Sequence, residues 1–264
     1  MHSGTFLFVE NMIYWYNYTA EARKMWRMDY TIIANLPRLP KILENMHRAT
    51  DRPDLYSEQD CYDQVRHVTH LMQKTGWIKT KGFGLENLPE EGGYVLYPNH
   101  QGKYDCYGIV SVHSKPLTVV MDREMSYFVL ISDIVDVLRG KRLDIQDVRH
   151  GLKIIKEVAQ EVSQGRRYII FPEGAYDNQK RNGLWDFKPG CFKAAVKAKV
   201  PIVPVALVDS YKAYNSWQIT PVKTQVHFLK PLYYDDYKEL STTQISAIVK
   251  ERIAEKLAEL GHAG

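Results

Sequence analysis

Cysteine is scarce in this 264-residue chain. Cys61, Cys106 and Cys191 are odd in number, widely spaced and without a CxxC pair, which argues against a disulfide framework or a structural zinc site and for a reducing compartment. Long apolar runs are missing too. Nowhere do about 18 apolar residues follow one another, so no ordinary membrane-crossing helix is expected. The run Phe6-Leu7-Phe8-Val9 is cut short by Glu10 and Asn11, too early for a signal peptide. No G-x-S-x-G turn is present to offer a serine nucleophile. Gly82 and Gly84 lack the third glycine and following helix of a dinucleotide fingerprint. His67 and His70 share a helical stretch, but no carboxylate or thiol at ligand spacing completes a metal set. The net charge of +4 is spread among acids with no Lys/Arg tract, so nucleic acid is not the expected partner, and neither a metal nor a cofactor is called for. Internal repeats and low-complexity tracts are absent.

What is present is a full apolar complement, 45% of the residues, with two patterns along it. From Trp77 onward apolar runs alternate with helical spacings. That predicts an α/β domain over 77–264, with a largely parallel central sheet flanked by helices, preceded by an N-terminal helical region over 1–76. Within that region, residues 5 to 36 interleave Trp15, Tyr16, Tyr18, Trp26 and Tyr30 with Arg23, Lys24 and Arg27. An interfacial helix uses such a mixture, with rings at headgroup depth and cations toward anionic lipid, although a helix packed on the domain needs the same apolar face. Leu36-Pro37-Arg38-Leu39-Pro40 and Arg52-Pro53 punctuate the chain and predict a linker or tight corner. Capping boxes at Ser57–Asp60 and Ser241–Gln244 open two long helices.

The chemistry-bearing residues follow apolar runs. Tyr94-Val95-Leu96-Tyr97 reads as a buried strand stopped by Pro98, after which His100 precedes Asp105 by five residues at a helix start. A carboxylate on one imidazole nitrogen fixes the tautomer and leaves the other to take a proton from a hydroxyl or thiol, a pairing suited to acyl transfer. Ile134–Val137 reads as a strand leading into Arg139, Lys141 and Arg142, cations able to surround a phosphate. Asp144 and Asp147 open a scaffold helix with Ile145, Val148, Leu152, Ile155, Val158 and Val162 on its buried face. Tyr168–Phe171 delivers Glu173 and Gly174 to the C-terminal edge of a strand, where open α/β sheets bind ligands. Val200–Val208 is a further buried strand fit to wall a pocket.

In this order, Asn99-His100-x4-Asp105, Val135-Asp136-Val137-Leu138-Arg139, Phe171-Pro172-Glu173-Gly174 and Val200-Pro201-Ile202-Val203-Pro204-Val205 resemble the four sequence blocks of the glycerolipid acyltransferases. The likeness is strongest to the bacterial 1-acyl-glycerol-3-phosphate acyltransferases and covers about residues 77 to 230. It implies His100 as general base on the acceptor's hydroxyl and Asp105 as its orienter. Arg139 becomes a phosphate ligand, Glu173 and Gly174 acceptor-binding residues, and Val203 and Pro204 pocket lining. Leu138 stands where the second block usually has Asp, and Ala175-Tyr176 where the third usually reads Thr-Arg, with Lys180 and Arg181 downstream as replacements for that arginine. The implied partners are acyl-CoA or acyl carrier protein as donor, a lysophospholipid as acceptor and the membrane surface. The enzyme would then sit peripherally on the cytoplasmic face of the cell membrane. Lysophosphatidate is the expected acceptor, a different lysolipid or glycerol phosphate the alternative. A thioesterase or lipase is disfavoured by the missing serine elbow, and a non-catalytic lipid-binding scaffold would tolerate loss of His100.

Overall fold

The computed structural model describes residues 26–128, 130–176, 181–216 and 220–262. Most of the aromatic and basic N-terminal stretch, and Lys180, therefore lie outside the described residues.

The chain opens on α1 (Trp26–Asn35), α2 (Leu39–Asp51) and α3 (Glu58–Thr75). The break between α1 and α2 falls at the expected prolines, but the stretch up to Pro53 is a helix and not a linker. Leu39, Met46 and Ala49 are buried on it at helical spacing, and Pro40 is harmless in a first turn, where no backbone donor is needed. α3 starts at its predicted capping box: Asp60 N–H donates to Ser57 Oγ at 3.1 Å and Ser57 N–H to Asp60 Oδ2 at 2.9 Å.

Seven strands follow: β1 (Ile78–Phe83), β2 (Tyr94–Pro98), β3 (Thr118–Asp122), β4 (Lys141–Leu143), β5 (Arg167–Ile169), β6 (Ile202–Val208) and β7 (Val222–Phe228). They form one sheet in the order β1-β7-β6-β2-β5-β3-β4, parallel throughout except for the β6–β7 pair. The helices between and after them are α4 (Asp105–Val112), α5 (Ile131–Val137), α6 (Val148–Ser163), α7 (Lys193–Ala198), α8 (Tyr211–Tyr214), α9 (Tyr234–Tyr237) and α10 (Thr242–Glu259). Between β6 and β7 the only described helix is the four-residue α8, too short for a crossover, so β7 returns antiparallel. The fold is thus α/β with a mostly parallel sheet, helices on both faces and a helical N-terminal part.

Strand direction decides where function can sit. β2 through β6 all end at one edge of the sheet, the edge carrying His100. β7 and its parallel neighbour β1 start there. Arg27 holds α1 at that edge, its guanidinium donating to Gly76 O at 2.6 Å and to Thr220 O at 3.0 Å. Arg27 is fully buried, so it serves the fold and not an anionic lipid face.

Side chains alternate into two cores, one on each face. Leu96, Val203, Val205 and Leu207 meet Ile109 of α4 and Tyr62, Val65 and Met72 of α3. Val95, Tyr97, Ile202 and Ala206 meet Ile154 and Val158 of α6 and Ile245, Val249 and Ile253 of α10. The first core also takes Leu39 and Met46 of α2, so the N-terminal helices share it with the sheet.

Three sequence expectations change. Ile134–Val137 is helical, with Ile131, Ile134, Val135 and Leu138 recurring at three- and four-residue steps. The strand is instead the polar Lys141–Leu143, a short edge element carrying charge, as exposed edges do. The expected buried face of α6 is displaced: Ile154, Val158, Ala159 and Val162 are buried, whereas Ile145, Val148 and Leu152 are 47%, 76% and 51% exposed. Val203 and Pro204, expected as pocket lining, are buried mid-strand, paired with Leu96 and Tyr97.

Candidate active site

β2 ends at Pro98, and of the next three side chains two, Asn99 and Gln101, are fixed from β6 and the turn after it. Asn99 continues the ladder with its amide, accepting from Leu207 N–H at 2.7 Å and donating to Leu207 O at 3.2 Å. Gln101 donates to the same Leu207 O at 2.6 Å and accepts from Ser210 N–H at 2.8 Å. His100, between them, is therefore held by its neighbours on both sides. Its backbone N–H donates to Glu173 Oε1 at 2.9 Å.

The His100 ring lies 2.7 Å by Nδ1 from Asp105 Oδ2. That oxygen also accepts from Gln101 N–H at 2.6 Å and Gly102 N–H at 2.9 Å, and it sits in the first turn of α4, where the helix dipole favours a negative group. An oxygen taking two backbone donors is an acceptor, so Nδ1 of the ring carries the proton and Nε2 is the basic nitrogen. Asp105 is 1% exposed at its side chain and His100 19%, an inner carboxylate behind an outer base. Phe171 stacks on the imidazole at 4.1 Å between centroids, and Tyr176 meets it edge-on at 4.8 Å.

Glu173 is brought to the dyad as expected, but its two oxygens are engaged by backbone donors, His100 N–H and Trp185 N–H at 3.1 Å. Burial raises its pKa, against the pull of those donors. Gly174 has φ +75, so this turn needs glycine for its backbone, and the Lys188 ammonium packs over it, 2.5 Å from where a Cβ would stand. Sequence reading passed over Lys188. Its signal was a cation before Pro189, and only the fold of the 172–188 loop carries it back to Gly174. A second residue passed over is Asn182, which accepts from Gln101 Nε2 at 2.9 Å and from Asp209 N–H at 2.8 Å, tying that loop to the turn after β6.

Arg139 is not brought to the site. It precedes β4 and lies at the opposite edge, donating to Pro53 O at 3.2 Å and sharing a crevice with Pro116, Leu117 and Arg167 at the starts of β3 and β5. Arg181, exposed with φ +50, is on the loop beside Asn182. Burial pushes the Cys106 thiol up to about 12 and the Cys191 thiol up to about 11, so neither offers a thiolate at neutral pH. A cleft of about 590 Å³ between α2 and α3 shares no lining residue with the dyad and carries Asp60 and Asp63. Among the described residues, no three His, Cys, Asp or Glu side chains gather to hold a metal ion.

A His–Asp pair at the C-terminal edge of a mostly parallel sheet, with the thiols of Cys106 and Cys191 held protonated, fits a class that activates a substrate's hydroxyl or thiol. The model of the family named Acyltransferase matches residues 79–208, a span covering all the elements that build the dyad, and the chain belongs to that family. Among similar proteins is the 1-acyl-sn-glycerol-3-phosphate acyltransferase of Cocos nucifera, 28% identical over 66% of this chain and 56% of that protein. The protein of that name from Saccharomyces cerevisiae is 24% identical over 75% of this chain and 66% of its own length. One from Escherichia coli K12 is 25% identical over 64% of this chain and 69% of its own. Plant, fungal and bacterial proteins thus match at similar identity. The chain spans only about half to two-thirds of the plant and yeast relatives. The crystal structure of the 1-acyl-sn-glycerophosphate (LPA) acyltransferase PlsC from Thermotoga maritima superposes with a TM-score of 0.71 at 18% identity, over 92% of this chain and 98% of that one, and so shares the fold.

Proposed function

We propose that this chain moves a fatty acyl group from a thioester, on coenzyme A or acyl carrier protein, to the free hydroxyl of 1-acylglycerol 3-phosphate. The observation that carries the reading is the 2.7 Å contact of His100 Nδ1 with an Asp105 oxygen already fixed as an acceptor. Nε2 of His100 takes the hydroxyl proton as the oxygen attacks the thioester carbonyl. The tetrahedral intermediate collapses with cleavage of the C–S bond, and the imidazolium returns the proton to the departing thiolate. No acyl-enzyme is formed, in keeping with the high thiol pKa values of Cys106 and Cys191. Glu173 positions the base through its backbone, and Lys188 supplies the cation for the acceptor's phosphate in place of Arg139. Donor and acceptor are amphiphiles, so the enzyme works peripherally at a membrane. Among the described residues, no helix is long and apolar enough to cross one. The names of the relatives support this acceptor.

One observation favours a second acceptor. Tyr176 stands where the family's third block usually has arginine, and it packs on the base, which suits a lysolipid whose headgroup presents less charge there. A panel of lysolipids with and without a terminal phosphate, given one acyl thioester and read by mass spectrometry, separates the two. His100→Ala should lose about 10²- to 10⁴-fold in turnover, the usual worth of a positioned base. A folded His100→Ala protein that acylates as fast as the parent would sink the mechanism, and thioester hydrolysis without acceptor at the full rate would make the chain a thioesterase.

A further inference from the structure

The apolar stripe of α6 runs on beyond what the sheet covers. Ile145, Val148 and Leu152 stand 47%, 76% and 51% exposed at the end of α6 that adjoins the His100 edge, because β4 ends there at Leu143 and leads straight into the helix. One position round the helix, the exposed Arg149, Lys153 and Lys156 form a parallel basic row. Other large exposed side chains lie on the same edge: Met125 and Tyr127 after β3, Trp185 after β5, and Trp77 before β1 with Tyr30 of α1 stacked on it at 5.4 Å. From β1 to β4 the sheet is seven strands wide, so these residues are strung along six spacings of about 4.8 Å, or ~29 Å.

A groove for one protein segment would gather its apolar residues. A line of aromatic and aliphatic side chains along one edge, with cations beside it on α6, matches a headgroup boundary, where rings and methyl groups enter and ammonium and guanidinium groups stay at the phosphates. We infer that Ile145, Val148 and Leu152 form a lipid-contacting element, at the far end of the edge from Trp77 and Tyr30, which seats the His100 edge on an anionic bilayer. The inference rests on the reading of that edge as the entrance for a lipid acceptor. Trp77 and Tyr30 alone would leave the molecule free to pivot about one end. Contact at both ends turns Nε2 of His100 toward the surface that holds the acceptor.

The test is co-sedimentation of the full chain with vesicles of phosphatidylcholine and phosphatidylglycerol, no donor or acceptor being present. The double variant Val148→Glu/Leu152→Glu should bind at least ~10-fold more weakly, because two side chains lose apolar transfer. Val148→Trp should bind more tightly. Leu85→Glu/Tyr233→Glu, at the opposite edge, should bind like the parent, and so should His100→Ala, which keeps failure of the chemistry distinct from failure of the surface. Equal sedimentation of the double variant and the parent overturns the inference. So does a double variant that keeps vesicle binding but no longer retains an acidic acyl carrier protein, since the face would then dock protein. Should the double variant melt early, an unchanged affinity for Val148→Trp decides against the inference.

Discussion

Asp105→Asn tests how the dyad works, and the structure sets both its sign and its size. Three N–H groups converge on Oδ2, from His100, Gln101 and Gly102. An asparagine must therefore put its oxygen at that position, which sends the NH2 group to the place of Oδ1, buried and without a partner among the described residues. Oδ1 has no partner in the parent either, so exchanging one unpartnered polar atom for another should cost less than about 1 kcal/mol of stability. The tautomer survives, because an oxygen still faces Nδ1. What is lost is charge. The bond to the imidazolium falls from the charge-assisted range of about 1.5–3 kcal/mol to the neutral range of about 0.5–1.5, and the Coulomb attraction goes with it. We expect a turnover loss of ~10- to 100-fold, smaller than that of His100→Ala and smaller than the ~10⁴-fold seen where an amide imposes the wrong tautomer on a catalytic histidine. Single-turnover acyl transfer read by thiol release, with urea unfolding run in parallel, measures both effects. Undiminished turnover would refute the role of the carboxylate, and a loss equal to that of His100→Ala would refute the orientation argued for the amide.

Lys188→Ala should weaken use of a phosphorylated acceptor by about 1.5–3 kcal/mol in kcat/KM, whereas Arg139→Ala should leave it unchanged. A pattern reversed in a kinetic comparison of the two variants would return the phosphate site to Arg139. His113 is buried, its Nδ1–H donating to Lys115 O at 2.8 Å and its Nε2 accepting from Tyr94 Oη–H at 2.7 Å, and burial lowers its pKa to about 4. The unfolded chain therefore binds a proton below about pH 6.5 that the folded one refuses, so stability falls on acidification. The loss from this residue should be about 2 kcal/mol between pH 7.5 and 5, measured by urea unfolding. His113→Gln should flatten that slope, and an unaltered slope would clear His113 of the effect.

What could be read from the sequence was whatever is local. The capping boxes at Ser57 and Ser241, the apolar run Tyr94–Tyr97, the stop at Pro98 and the His100–Asp105 spacing all act within a few residues of themselves, and all stand in the structure. What could not be read was which edge of the sheet a residue reaches. Arg139 and Glu173 both flank strands in sequence, yet Arg139 enters β4 and Glu173 leaves β5, and in a parallel sheet entry and exit are opposite ends. β4 itself was hidden because an edge strand needs no apolar run, and Lys141-Arg142-Leu143 has none. The covered face of α6 was misread because its apolar residues outnumber the places the sheet offers them. Lys188 escaped because a loop, and not a period, brings it to Gly174.

The buried guanidinium of Arg27 also sets a timetable. Its bond to Thr220 O spans 193 residues, and β1, the first of the described strands, pairs among them with β7 alone. At about 5–20 residues per second, the ribosome needs ~10–40 s after Arg27 leaves it before that partner is synthesised. Throughout this interval α1 has no finished seat, and Met28 and Ile33 are open to any apolar surface nearby. A nascent chain of this protein therefore offers α1 to other apolar surfaces well before its own sheet can claim it.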